Sequence, residues 1–173
     1  MNSTAQGTPI LWITGLSGSG KTTISKAVVA KLRSRDLPVF HIDGDQIREV
    51  IGDSVGYSED ERIINAYRIS RFCKLVQQQN VLGVCSTMSL YPEIWEWNRK
   101  NLSPYVEIYI RVTLDELRMR DQKGLYSATG PNVVGKDLIF NEPKHAHHTL
   151  DNNGFEDLDK NIDFIMNLIE KID

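Results

Sequence analysis

The chain has few of the features that mark secreted or membrane-spanning proteins. It holds two cysteines, Cys73 and Cys85, in 173 residues. Both lie in apolar surroundings and their spacing fits no metal motif, so we predict two buried free thiols. No apolar run approaches the roughly 20 residues of a membrane span. The N-terminus also lacks the basic and apolar regions of a signal peptide, and we therefore expect a cytoplasmic protein.

Excess positive charge is absent as well. Lysine and arginine total 20 against 23 aspartate and glutamate residues, which gives a net charge of −3. Without a broad basic surface, the protein is not expected to bind nucleic acid or an anionic membrane. A small anionic ligand stays compatible with the composition, because a few arginines and backbone amides suffice to hold one. Residues 1–173 show no repeat or linker, so we expect a single domain.

Apolar segments alternate with helical patterns along most of the chain. Buried strands are predicted at residues 10–14, 37–43, 81–87, 105–112 and 147–152. Helices are predicted at residues 22–35, 59–80, 92–101, 113–121 and 155–172, with Ser58 and Thr113 as N-caps. This alternation predicts an α/β fold whose parallel sheet of about five strands lies between two helical layers. Ligands of such sheets bind at the carboxyl ends of the strands.

A phosphate-binding motif stands between the first predicted strand and the first predicted helix. The segment GLSGSGKT, residues 15–22, matches G-x-x-x-x-G-K-[ST] in full. Its glycines let backbone N–H groups surround phosphate oxygens, and the helix N-terminus adds a positive field. We expect Lys21 to reach the outer phosphates and the Thr22 hydroxyl to ligate Mg²⁺. The predicted ATP-binding residues here are Gly15, Leu16, Ser17, Gly18, Ser19, Gly20, Lys21, Thr22 and Thr23.

Two acids at the end of the second predicted strand favour a kinase among the proteins that share this motif. The sequence has no N-K-x-D motif of small GTPases, and strand 81–87 ends without the acid of a motor ATPase. Asp43 and Asp45, in HIDGDQIREV, are instead placed to meet an acceptor or the metal. The alternative for either acid is a simple N-cap of the helix that begins near Gln46.

Four segments together resemble the adenylylsulfate kinase family. They are GLSGSGKTT, DGDQIR, GYSEDER with Asn65 and Arg68, and RDQKGLY. The family uses ATP to phosphorylate the ribose 3′-hydroxyl of adenosine 5′-phosphosulfate. The resemblance, from about Ile10 to Leu150, implies a P-loop kinase fold, a three-layer sandwich with a lid at residues 121–146. It also implies ATP and Mg²⁺, a small nucleotide substrate and, from the family's tendency, a homodimer.

The resemblance assigns the catalytic and lid residues. Asp43 would orient or deprotonate the acceptor hydroxyl and share the metal with Thr22. Lys21, Asp43 and Arg62 are then the expected catalytic residues. Arg120 and Lys123 would begin the lid, with Arg120 near the adenine and Lys123 near the phosphates.

The resemblance also implies an acceptor site that includes arginines, whose forks suit bidentate recognition of phosphate and sulfate. Solvated helix charges at Arg62 and Arg68, and a core aromatic at Tyr57, remain the alternatives. The expected acceptor-binding residues are Asp43, Asp45, Arg48, Tyr57, Arg62, Asn65, Ser89 and Val133.

The chain departs from the family at several places. STMSLYPEIWEWNRK stands where the family has FISP and basic residues, the lid is shorter, and the arginine pair after the asparagine is reduced to Tyr67 and Arg68. Val133 replaces the second aromatic that grips adenine, which would weaken adenine binding by about 1–3 kcal/mol. Relatives in bacterial surface-polysaccharide pathways phosphorylate the 3′-hydroxyl of cytidine diphosphoramidate, so both acceptors stay open. A nucleotide-switched binding protein with slow ATPase activity and a scaffold protein are further alternatives.

Overall fold

The computed structural model describes residues 7–52, 56, 58–121 and 140–172, and strands alternate with helices along them. The strands are β1 (Ile10–Thr14), β2 (Val39–Asp43), β3 (Leu82–Thr87), β4 (Tyr105–Arg111) and β5 (His148–Asp151). The helices are α1 (Lys21–Arg33), α2 (Gly44–Ile51), α3 (Glu59–Gln78), α4 (Pro92–Asn101), α5 (Leu114–Arg120) and α6 (Phe155–Ile169). All predicted strands are confirmed, with ends that shift by up to two residues.

The five strands form one parallel sheet in the order β2-β3-β1-β4-β5. The connection after β1 leads toward β2, whereas the connection after β3 crosses to β4 on the other side. The carboxyl ends of β1 and β3 are adjacent, since Thr14 pairs with Thr87. The connections that follow β1 and β3 therefore run to opposite sides of the sheet. Open α/β sheets bind their ligands at the carboxyl ends of two such strands.

Helices cover both faces of the sheet, as the sequence predicts. Every residue of β1 is buried, and its side chains alternate between two cores. Leu11 and Ile13 pack in a cluster that includes residues of α1 and α6. Ile10 and Trp12 pack in a second cluster, with residues of α3 and α4. The α/β three-layer sandwich is thus confirmed; that residues 1–173 form a single domain stays a prediction.

Local capping chemistry explains where the helices begin. The Ser58 side chain accepts from the Glu61 amide while the Glu61 carboxylate accepts from the Ser58 amide, so α3 starts with a capping box. Thr113 caps α5 in the predicted manner. Helix α2 begins at Gly44, before the expected Gln46, because Asp43 is its N-cap. The alternative that Asp45 is the cap is therefore wrong.

Both cysteines are free thiols in the interior, as predicted. Burial and the neighbouring Cys73 raise the pKa of Cys85 well above its usual range. Among the helices that the structure describes, none has the length and apolar character needed to cross a bilayer. The homodimer stays a prediction.

Candidate active site

The loop between β1 and α1 turns around the carbonyl of Leu16. The Ser19 amide donates to Leu16 O at 3.2 Å, and Lys21 Nζ donates to the same oxygen at 2.9 Å. Gly20 has a φ of 90°, a left-handed conformation that favours glycine. The buried hydroxyl of Ser19 has no hydrogen-bond partner among the described residues. These features fit a phosphate-binding loop, because an anion would supply the missing partner.

The Asp43 carboxylate joins the phosphate loop to the ends of two strands. Its Oδ1 accepts from the amides of Asp45 at 3.0 Å and Gln46 at 3.4 Å. Its Oδ2 accepts from Thr22 Oγ1 at 3.2 Å and Ser86 Oγ at 3.0 Å. The side chain therefore both caps α2 and faces the phosphate loop, so the capping role and the site role coexist in one carboxylate.

Thr22 and Asp43 also fit a magnesium site. Mg²⁺ prefers hard oxygen ligands, and a hydroxyl and a carboxylate oxygen lie 3.2 Å apart here. Asp43 is 7% exposed, so its charge is held away from bulk water. A Mg²⁺ ion bound by this pair would neutralise charge on the phosphates.

A histidine on the same strand as this carboxylate is not among the site residues predicted from the sequence. His41 precedes Asp43 by two residues on β2, and its Nε2 lies 3.0 Å from Ser25 Oγ of α1. Burial lowers the pKa of His41 from its ordinary value of 6.5, although the Asp43 charge acts in the opposite direction. The neutral imidazole therefore links β2 to the helix that follows the phosphate loop.

The predicted acceptor residues lie on α2, on α3 and after β3. Arg48 Nη1 donates to Gly56 O at 2.8 Å, which joins α2 to the segment before α3. Arg62 and Asn65 lie three apart near the start of α3. Asn65 is 5% exposed, and its Oδ1 has no hydrogen-bond partner in the described part of the chain.

Ser89 lies close to the carboxyl end of β3 and is 2% exposed. Its hydroxyl is 3.1 Å from Thr87 Oγ1, and its carbonyl accepts from Trp95 Nε1 at 2.9 Å. The structure therefore places Ser89 against Thr87, the last residue of β3. Asp45 is exposed on α2. The predicted site residues Tyr57, Lys123 and Val133 lie outside the described residues.

A cavity of about 570 Å³ lies beside the phosphate loop. Of the residues in its wall, Gly20, Thr23 and Arg120 are predicted from the sequence to bind ATP, and the others are not. The cavity is lined by Gly20, Thr23, Glu116, Met119, Arg120, Asn152, Asn153, Gly154 and Leu158. A usable signal was the DNNG segment at the end of the last predicted strand, because ligands bind at strand carboxyl ends. The volume and its position suit the nucleoside part of a donor nucleotide.

Two departures from the family pattern meet on the surface between α3 and α4. The rings of Tyr67 and Trp97 form an edge-to-face pair with centroids 6.4 Å apart. Arg71 lies over the Tyr67 ring at 5.6 Å, and Lys74 lies over the Trp97 ring at 5.9 Å. Aromatic packing and a cation–π contact therefore join α3 to α4.

Comparison with known proteins decides the family. A family model for adenylylsulphate kinases matches residues 7–151. The chain belongs to the adenylylsulfate kinase family. It is a P-loop phosphotransferase.

The similar proteins of the family carry two different names. This kinase is 38% identical over 161 residues to the cytidine diphosphoramidate kinase of Campylobacter jejuni, covering 91% of this chain and 94% of that one. It is 34% identical over 148 residues to the adenylyl-sulfate kinase of Oceanobacillus iheyensis, covering 82% and 74%. The structure of the Mycobacterium tuberculosis APS kinase in complex with AMPPNP and APS superposes with a TM-score of 0.87 at 25% identity, covering 95% and 98%.

Proposed function

We propose that this kinase transfers the γ-phosphoryl group of ATP to a ribose 3′-hydroxyl of a small nucleotide. The observation that carries the proposal is the position of Asp43. Its carboxylate lies at the carboxyl end of β2 and accepts a hydrogen bond from Thr22 of the phosphate loop. An acceptor hydroxyl at this point would lie next to both a proton acceptor and the phosphates of the donor.

The proposed reaction breaks the bond between the γ-phosphorus and the β–γ bridging oxygen of ATP. A new bond forms between that phosphorus and the acceptor oxygen, whose proton passes to Asp43, and ADP leaves. Lys21 and Arg62 are the proposed partners of the negative charge on the transferred group. Fixed positive charge at such a group accounts for most of the rate acceleration in phosphoryl transfer. Mg²⁺ on Thr22 and Asp43 would add to it.

Cytidine diphosphoramidate is the acceptor that we favour. The Campylobacter jejuni kinase of that substrate matches this chain at 38% identity across nearly the full length of both proteins. The contact between Tyr67 and Trp97 supports the same choice, because the two residues belong to the segments in which the sequence departs from the basic family pattern. We also propose that this acceptor is bound by Asp45, Arg48, Asn65 and Ser89.

Adenosine 5′-phosphosulfate is the second candidate. The adenylylsulphate kinase model matches most of the chain, and the adenylyl-sulfate kinase of Bacillus velezensis is 36% identical to it over 148 residues. The sulfate and phosphoramidate groups both present oxygens that arginine can bind, so Arg48 and Arg62 suit either acceptor.

An acceptor panel tests the proposal. The protein is incubated with ATP and Mg²⁺, with no acceptor, with cytidine diphosphoramidate or with adenosine 5′-phosphosulfate, and ADP release is followed. We expect ADP release to depend on the acceptor and to be faster with cytidine diphosphoramidate. Release without any acceptor would instead support a nucleotide switch, and no release with either acceptor would refute both substrate assignments.

A further inference from the structure

Asn152 connects the phosphate loop to the wall of the neighbouring cavity. Its Nδ2 donates to Ser19 O at 2.8 Å, although the two residues are 133 positions apart in the chain. Its own amide donates to Arg111 O at 3.0 Å, and its carbonyl accepts from Arg120 Nη2 at 2.6 Å. Asn152 is 4% exposed, so these bonds are made away from bulk water.

The amide group of Asn152 has a defined orientation. Ser19 O only accepts hydrogen bonds, so the atom that faces it must be the donating nitrogen. The amide also lies close to the phosphate loop, because a Cβ atom on Gly20 would overlap with Asn152 Nδ2. Glycine at position 20 therefore serves two purposes: it adopts a φ of 90°, and it leaves room for this amide.

The hydrogen bond to Ser19 determines where the next amide points. In a planar trans peptide, the carbonyl of one residue and the N–H of the following residue point to opposite sides. Asn152 holds the Ser19 carbonyl toward β5 and the loop after it. The Gly20 N–H is thereby directed to the side of this peptide that lies opposite Asn152.

We propose that Asn152 is a positioning residue of the donor site that fixes the Ser19–Gly20 peptide so that the Gly20 amide faces the phosphates of ATP. The inference rests on the proposed ATP site. It predicts that Asn152 matters for the phosphate groups of the donor and does so without any contact to its base. A contact with the base is the competing role, because Asn152 also lines the cavity.

Binding of two ligands separates these roles. Tripolyphosphate carries phosphates without a base, and ADP carries both. We expect Asn152→Ala to lower the affinities for ADP and for tripolyphosphate by the same factor, about tenfold, from the loss of one directing hydrogen bond. Asn152→Asp keeps the side-chain volume but cannot donate when ionised, so it should lower both affinities at least as much. This variant also carries the test if the alanine variant does not fold.

Asn161→Ala is the matched control. Asn161 Nδ2 donates to Asp151 O at 2.8 Å, so its removal deletes an equivalent amide-to-carbonyl bond at the residue next to Asn152. We expect this variant to bind both ligands within twofold of the wild type. Unchanged tripolyphosphate affinity in Asn152→Ala, or equal losses in Asn161→Ala, would overturn the inference while the ATP site stands. A wild-type protein that binds neither ligand would refute the ATP site itself and the inference with it.

Discussion

Replacement of Asp43 by asparagine separates its structural role from its proposed chemical role. Asparagine is about as good an N-cap as aspartate, so the bonds to the Asp45 and Gln46 amides can persist. The bonds from Thr22 and Ser86 become neutral, which costs about 1 kcal/mol of unfolding free energy. The carboxylate that would accept the proton is lost completely.

Turnover should therefore fall far more than stability. Loss of a general base lowers the rate by about 10²- to 10⁴-fold, which corresponds to about 2.7–5.4 kcal/mol in the activation barrier. ADP affinity, measured without added metal, should stay within about threefold of the wild type, because a carboxylate is not needed to bind phosphates. The assays are steady-state transfer, ADP titration calorimetry and urea unfolding.

Asp43→Ala is the companion variant. It removes the cap as well as the charge, so its unfolding free energy should fall by about 2–3 kcal/mol. Its transfer rate should match that of Asp43→Asn. If Asp43→Asn retains a transfer rate within threefold of the wild type, Asp43 does not take the proton and the proposed reaction is wrong at that step.

Three further predictions concern the ion pair between α4 and β4, His41 and the metal. Glu107 is fully buried and pairs with Arg99 at 2.9 Å. Arg99→Met should lower the free energy of unfolding, measured in urea, by about 2–4 kcal/mol, and Glu107→Gln should lower it by less, because only Arg99→Met leaves a buried charge unpaired. Equal losses in the two variants would contradict this. The lowered pKa of His41 means that its stabilisation is present above pH 6.5 and is lost as pH falls through 6.5 toward the folded value. His41→Gln should thus flatten the fall in unfolding free energy between pH 7.5 and 5.5, and an unchanged slope would exclude His41 as its source. Thr22→Val should raise the Mg²⁺ concentration needed for half-maximal transfer, whereas Thr22→Ser should not; the same requirement in both variants would remove Thr22 from the metal site.

Local chemistry explains which parts of the fold were predictable from the sequence. The capping box at Ser58 and the cap at Thr113 depend on residues three positions apart, so the helix starts could be predicted from neighbours in the chain. The phosphate loop and the position of Asp43 follow from motifs placed after apolar strands. The start of α2 was misjudged because two acids compete for the cap and only the folded geometry selects Asp43.

Contacts between distant residues explain what the sequence did not reveal. Asn152 reaches Ser19 across 133 positions, and no local pattern distinguishes it from the neighbouring Asn153. The strand order likewise depends on how the crossovers pack, which periodicity does not encode. The contact between Tyr67 and Trp97 likewise joins residues 30 positions apart, so no local pattern in the sequence predicts it.

A competition between the two acceptors tests the central claim most directly. Equal concentrations of cytidine diphosphoramidate and adenosine 5′-phosphosulfate are mixed with the protein, ATP and Mg²⁺, and the phosphorylated products are quantified by mass spectrometry at early times. The product ratio equals the ratio of the two kcat/KM values. We predict that 3′-phosphorylated cytidine diphosphoramidate predominates. Predominance of 3′-phosphoadenosine 5′-phosphosulfate would contradict the proposed acceptor, and absence of both products would contradict the proposed reaction.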